Sequence, residues 1–297
     1  MKSTKLVSIN GKLYPPEEAK ISVFDRGFLY GDAVYEVARS YGRVFFELEA
    51  HIARMFNSAA MIGMDLQQSE QDYIDDIYKV YSHVKENDMY MRIQISRGQG
   101  TIGLSTKNAD KPNVVIYIRT LETTPEEYYA KGVSIVTTDR LRNSKHALDP
   151  NIKSGNYLNN LLAFREATKA SAYESIMVNN KNLVTEGTTA NVYMVKNGSV
   201  ISPPDDFDIL RGITRRIVKQ LCKEQNIPFL EQGFSPQEME SADEVFLTSS
   251  TKEVLPVSLV NATKVKTAPG SISQKLGVAY KQYVKEYCAA RKHLGQI

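Results

Sequence analysis

Residues 152–187 read IKSGNYLNNLLAFREATKASAYESIMVNNKNLVTEG, and the order of elements in this stretch decides the architecture. A Lys-Ser-Gly-Asn turn leads into Leu158, Leu161, Leu162 and Ala163, which stand at helical spacing. ESIMV and LVTEG follow as short apolar strands, divided by the turn-forming pair Asn179-Asn180. Downstream, ANVYMVKNGSVISPP adds two more strands around Asn197-Gly198. Gly212 precedes ITRRIVKQLCKE, a predicted helix with Ile213, Ile217, Val218 and Leu221 on one side. Ala242 to Thr248 reads as another strand, and a closing helix is expected from about Ser273 to Lys292. This half of the chain is therefore mostly β with helices packed on it.

Upstream, GVSIVTT is a strand, and LETTPEEYYA before it, polar and carrying Pro125, reads as a connector. We expect a small N-terminal domain over 1–121, a connector over 122–128 and a larger domain over 129–297. In the first of these, Asn10-Gly11 between apolar runs predicts a hairpin, and Gly42-Arg43 divides a second strand pair. Gly27 and Gly31 mark backbone turns. Ile52, Met55, Phe56, Ala59 and Ile62 give a helix from Leu48, with a second helix over about 69–84. Residues 90–97 and 113–120 complete an antiparallel α+β unit.

With 297 residues, 42% apolar and 24% charged, the chain has enough material for two such cores. Thirty-seven Lys and Arg against 34 Asp and Glu leave +3, too balanced and dispersed for a nucleic-acid footprint, so small-molecule partners are expected. Cys222 and Cys288 form no framework, which fits a reducing compartment. The opening MKSTKLVSING lacks a signal-peptide core and no run is long enough to span a membrane, so the expected location is cytoplasmic.

No GxGxxG, GxxxxGK[ST], HExxH or GxSxG occurs, and His51, His83, His146 and His293 lack metal-ligand spacing. What remains is dispersed: Lys153 before its Gly-Asn turn, Glu186 at a strand end, and small-residue turns at Arg211-Gly212 and Ser249-Ser250-Thr251. A glycine opening a helix, together with a Ser/Thr loop, offers amides and hydroxyls to a phosphate. Singly, each feature has an ordinary explanation: such a lysine is usually solvated, and a TSST loop usually ends a strand.

Taken together, seven stretches resemble, in order and spacing, those of the fold-type IV (class IV) pyridoxal-phosphate-dependent aminotransferases. They are DRGFLYGDAVYE, HIARMFNSA, YMRIQISRGQG, IKSGNYLNNLLA, VTEGTTANVYMV, ILRGITRR and ADEVFLTSSTKEVLPV. The resemblance runs from about Lys5 to Val257. It implies an α+β fold of two domains, a small antiparallel α/β sandwich and a larger β-barrel-like domain with surrounding helices that binds pyridoxal 5'-phosphate. It also implies at least a homodimer, with the site between the domains and closed by partner-chain residues.

The same resemblance implies roles for single residues. Lys153 resembles the lysine that condenses with the cofactor's aldehyde, a role needing an amine kept partly neutral by burial or a cationic neighbour. Once displaced, that amine shuttles the α-proton. Glu186 resembles the carboxylate that keeps the pyridine nitrogen protonated, so that the ring accepts electrons released at Cα. Tyr157, on the face of Lys153 if the turn between them is helical, resembles the phenol bonded to the cofactor's 3-oxygen. Arg54, with Gly212, the Ile213 and Thr214 amides and the Ser250 hydroxyl, resembles the phosphate-binding set.

For the substrate, Tyr90-Met91-Arg92 resembles the Tyr-x-Arg pattern of branched-chain amino-acid aminotransferases, where amides matching Thr251 and Lys252 help orient the α-carboxylate. Tyr30 and Tyr35 fall in the same group. The pattern implies ping-pong transfer between a hydrophobic L-amino acid and 2-oxoglutarate. The D-amino-acid transaminases instead carry an Arg-x-His trap where this chain has Ile102 and Leu104, and aminodeoxychorismate lyases a threonine where it has Val37. GDAVYEVARSY nonetheless lacks the branched-chain FEG, Tyr35 and Val37 replacing Phe and Gly, and looks closer to the D-amino-acid group. D-amino-acid transamination, the pyruvate-releasing lyase reaction and a silent binding protein on the same fold stay open as alternatives.

Overall fold

The computed structural model describes residues 4–109, 111–265 and 271–295. Contacts divide the chain into two compact units, one of residues 1–122, 152–157 and 284–297, the other of 123–151 and 158–283. The chain passes between them at four places, after residues 122, 151, 157 and 283, and the short stretch carrying Lys153 packs with the N-terminal unit.

In the first unit, β1 (Thr4–Ile9) and β2 (Lys12–Tyr14) form a hairpin through Asn10 and Gly11, both at positive φ. There follow α1 (Arg26–Tyr30), β3 (Ala33–Tyr41), β4 (Val44–Phe45), α2 (Leu48–Met61), α3 (Glu70–Ser82), β5 (Met89–Ser96) and β6 (Asn113–Thr120). Gly27 and Gly31, read as turns, bracket a one-turn helix: Asp25 caps the Gly27 amide, and Gly31 ends it at φ 69°. The sheet runs β2-β1-β6-β5-β3-β4, and its ladders are all antiparallel. Alternation along β3 and β5 decides the rest. Val34 and Ala38, with Met91, Ile93 and Ile95, face a core completed by Ile52, Met55, Ile77 and Tyr81 of the two longer helices. Tyr35, Val37 and Arg39, with Tyr90, Arg92 and Gln94, stand on the opposite face.

The second unit opens with α4 (Glu126–Lys131), so part of the expected connector is helical. Pro125 stands at its N-cap, where a proline costs no helical hydrogen bond, and Glu126, Glu127 and Lys131 suit the helix dipole. Next come β7 (Val133–Leu141), α5 (Lys145–Leu148), α6 (Leu158–Lys169), β8 (Glu174–Val178), β9 (Val184–Gly187), β10 (Asn191–Lys196), β11 (Ser199–Ser202) and α7 (Ile213–Glu224). The unit continues through β12 (Phe229–Glu231), α8 (Pro236–Glu240), β13 (Glu244–Ser249), β14 (Glu253–Val260) and β15 (Thr263–Lys264) into α9 (Ile272–Ala290). The sheet order is β12-β11-β10-β13-β14-β7-β8-β9, with β15 on β14. β9 and β10 lie far apart in that order, yet a tight turn closed by the Gly187 amide on the Ala190 carbonyl (2.8 Å) joins them. The sheet must therefore curl back on itself, which accounts for the barrel-like form. Among the described residues no helix is long and apolar enough to cross a membrane, and no cluster of metal-binding side chains occurs.

Candidate active site

In the first unit Lys153 ends against Tyr35. Its Nζ donates to the Tyr35 hydroxyl at 3.3 Å and lies 4.4 Å from the ring centre. The backbone explains why it ends there. Ser154 bridges to Val34 in antiparallel fashion, the Tyr35 amide donates to the Lys153 carbonyl (2.9 Å) and the Gly155 amide to the Ala33 carbonyl (2.7 Å). Residues 152–157 are thus held extended along β3, and α6 begins only at Leu158. This corrects the expectation of a helical turn from Lys153 to Tyr157. Tyr157 instead meets Tyr35 edge-on at 5.8 Å, its hydroxyl hydrogen-bonded to the Tyr35 oxygen.

The Arg92 guanidinium also lies over the Tyr35 ring, at 3.7 Å. Two cations therefore lie within 4.4 Å of the ring centre of Tyr35. Burial would raise its phenol, but Lys153, the Tyr157 hydrogen bond and Arg92 together outweigh burial and hold it below the usual tyrosine value. Tyr90 is bonded by Arg92, lies under Arg119 at 4.4 Å, and is raised by burial to about 12. Arg92 further donates to Gln94 (2.8 Å). Tyr30 stands apart from this cluster in its bonds: its hydroxyl accepts the Gly103 amide (3.0 Å), and its ring lies under Arg26. Arg26 also holds the carbonyls of Gly103 and Ser105, which leaves the side chains of Ile102 and Leu104 exposed.

On the core face of β3, Glu36 is fully buried beneath α2. Arg54 grips it with Nε (2.6 Å) and Nη2 (2.8 Å), and His51 Nδ1 lies 2.7 Å from Oε2. Burial would raise the carboxyl, yet the Arg54 charge and the hydrogen bonds of Arg54 and His51 hold it far below the carboxylate range. Burial also lowers the His51 imidazole, so the neutral ring donates its Nδ1 proton to Glu36. One helical turn on, Ser58 accepts the Lys153 amide at 3.1 Å. A charged residue sharing the parity of Val34 and Ala38 was a readable sign of a partner beneath the sheet.

In the second unit Glu186, at 7% side-chain exposure, receives Arg142 Nε on Oε1 (2.9 Å) and the Leu210 amide on Oε2 (3.0 Å). Arg142 was not among the expected site residues, because nothing in sequence spacing links the end of β7 to β9. Asn191 Nδ2 donates to the Leu210 carbonyl (3.0 Å) and so ties the stretch before α7 to β10. Gly212 is required by this approach: a Cβ there would stand 2.1 Å from Asn191 Oδ1. As the N-cap of α7 it supplies no capping side chain, and no acidic residue stands in the first turn of Ile213 and Thr214. A helix start without a side-chain cap suits an anionic group. Ser250 and Thr251 form the turn between β13 and β14; the Lys252 amide, expected to face substrate, donates to Ser249 Oγ at 3.1 Å.

Residues 33–260 match the amino-transferase class IV family. A Methanocaldococcus jannaschii protein, provisionally named a branched-chain-amino-acid aminotransferase, is 34% identical over 93% of this chain and 95% of its own. A D-alanine aminotransferase of Bacillus licheniformis is 36% identical over 92% and 95%. The branched-chain amino acid aminotransferase of Thermobaculum terrenum, solved in its PLP-bound holo form, superposes with a TM-score of 0.85 at 25% identity, over 97% of this chain and 96% of that one. A match spanning most of both units, and carried by fold as well as sequence, leaves one assignment: the chain belongs to the class IV aminotransferases, enzymes of the fold-type IV class that depend on pyridoxal 5'-phosphate.

Proposed function

We propose that this enzyme moves the amino group of a hydrophobic, branched-chain-like L-amino acid to 2-oxoglutarate, the first keto product leaving before the acceptor enters. When bound, pyridoxal phosphate supplies an aldehyde for the amino group and a ring that withdraws electrons from Cα. Lys153 would hold the cofactor and, once displaced by substrate, would carry the α-proton on its amine, with the Tyr35 phenol within hydrogen-bond reach of that amine. Glu186, fixed by Arg142 and Leu210, would keep a proton on the ring nitrogen. Tyr157 would bond the 3-oxygen. Arg54, the first turn of α7 beyond Gly212, and Ser250 would each donate to the phosphate.

The observation that carries the substrate assignment is the Tyr35 ring, which touches both the Lys153 amine and the Arg92 guanidinium. It sets a carboxylate anchor, Arg92 with its bonded Tyr90, against the same ring as the reacting amine. At the positions of the D-specific trap, Ile102 and Leu104 are aliphatic and exposed and bind no carboxylate. The resemblance adds Thr251 as a further carboxylate contact. A second reading, D-amino-acid transamination, is favoured by the hydroxyl of Tyr35 beside Lys153 and by the D-alanine relatives. The test is spectral: mixed with a panel of L- and D-amino acids, the holoenzyme converts its bound aldehyde with L-leucine, L-isoleucine or L-valine. Conversion by D-alanine alone would reverse the assignment.

We also infer a homodimer. Phe28, Ile102 and Leu104 are 67%, 75% and 85% exposed, an apolar set that a monomer would leave in water. Sedimentation is expected to give twice the 33.4 kDa chain mass, and Leu104→Glu to weaken association; a wild-type monomer at micromolar concentration removes the inference.

A further inference from the structure

The Lys252 side chain reaches away from the TSSTKE turn that carries it. Its Nζ donates to Glu174 Oε2 (2.8 Å) and to Thr189 Oγ1 (2.6 Å), and lies 5.3 Å from the Tyr173 ring centre. Glu174 is fully buried at the start of β8. Its other bonds come from the Ser175 amide (3.0 Å), the Thr188 amide (3.1 Å), the Thr188 hydroxyl (2.5 Å) and the Thr189 hydroxyl (3.0 Å). A buried carboxylate persists only when paired and fully hydrogen-bonded, and this one is both. Its charge cancels that of Lys252, whose ammonium is thus spent inside the unit. The turn itself is strained and over-determined: Glu253 holds φ +56°, a conformation costly for a residue with a side chain. Tyr129 donates to the Lys252 carbonyl (3.2 Å) and Ser249 Oγ accepts the Lys252 amide.

We propose that Lys252 is a positioning residue: through Glu174 and Thr189 it clamps the turn that follows Glu186 to the turn that carries Ser250 and Thr251, and so sets two sides of the cofactor site at once. The inference rests on reading Glu186 and Ser250 as cofactor contacts. It assigns the Lys252 side chain no contact with substrate.

The experiment titrates apo-protein with pyridoxal phosphate, alongside steady-state kinetics at saturating cofactor. For Lys252→Met we expect cofactor affinity to fall about 10- to 100-fold, the range seen when outer support of a bound group is removed, and by a larger factor than the amino-donor KM rises through the loosened Thr251. The double variant Lys252→Met/Glu174→Gln, in which no buried charge is left unpaired, regains thermal stability but not affinity, because the clamp is still missing. Three results overturn the proposal: unchanged affinity in Lys252→Met, a raised donor KM at unchanged cofactor affinity, or a double variant that recovers cofactor affinity along with stability. Ser250→Ala in the same titration separates the two levels. If it binds cofactor normally, the reading of this turn as a phosphate contact fails; if it is weakened while Lys252→Met is not, only the clamp fails.

Discussion

Lys153→Ala is expected to abolish the absorption band of lysine-linked cofactor and to lower turnover by at least about 10²- to 10⁴-fold, the share that a positioned proton-transfer group contributes. The loss should be chemical rather than structural. The amine is only partly buried, and the backbone bonds of residue 153, to Ser58 Oγ and from the Tyr35 amide, survive in alanine. A thermal melt should therefore stay close to wild type. A second consequence is local. Burial pushes the Tyr35 phenol up and Lys153 is the largest influence opposing it, so removing the amine raises that phenol. Ultraviolet titration should show one tyrosine ionising at higher pH than in the parent. Added small primary amines should restore part of the proton transfer. Normal turnover in the variant, or an unaltered cofactor spectrum, would end the assignment of Lys153.

The elements that carry the site residues were legible in their patterning, while the roles given to Lys153, Glu186, Tyr157 and Arg54 came from the family resemblance alone. Alternation in β5 put Tyr90 and Arg92 on one face, and the spacing in α2 put Arg54 among Ile52 and Met55. Legibility failed where the chain obeys a distant partner. The stretch from Lys153 to Tyr157 looked like a helix start because Leu158, Leu161 and Leu162 follow it, but hydrogen bonds to Ala33 and Tyr35 hold it extended. No local preference encodes that pairing. Arg142 was invisible for the same reason, since its partner Glu186 lies 44 residues on. Pro125 misled in the opposite direction, being taken as a breaker when it begins a helix. The resemblance assigned Lys252 only through its amide, and nothing nearby in the sequence points to Glu174, 78 residues away, as the partner of its side chain.

Arg54→Met is expected to destabilise the protein by about 3–5 kcal/mol, because it strands a buried carboxylate. Glu36 is inaccessible to water, and Arg54 supplies two of its three short contacts. Acid should do gradually what the mutation does at once. In the folded state Glu36 is held far below the carboxylate range, so the stability it contributes is complete above its unfolded pKa, about 4.3, and is lost as pH falls below that. His51 is also lowered on folding; below about pH 6.5 the unfolded chain takes up a proton that the folded one refuses, so stability starts to decline there. Urea unfolding should therefore weaken from about pH 6.5 downward, and His51→Asn should flatten the upper part of that decline. A midpoint constant from pH 7 to 4 would remove both claims. The double variant Arg54→Met/Glu36→Gln then separates the two duties of the arginine. With no charge left in the pocket it should recover most of the lost stability, while its affinity for pyridoxal phosphate stays as low as that of Arg54→Met. If affinity returns along with stability, the guanidinium holds Glu36 alone, and the phosphate is bound by α7 and Ser250 without it.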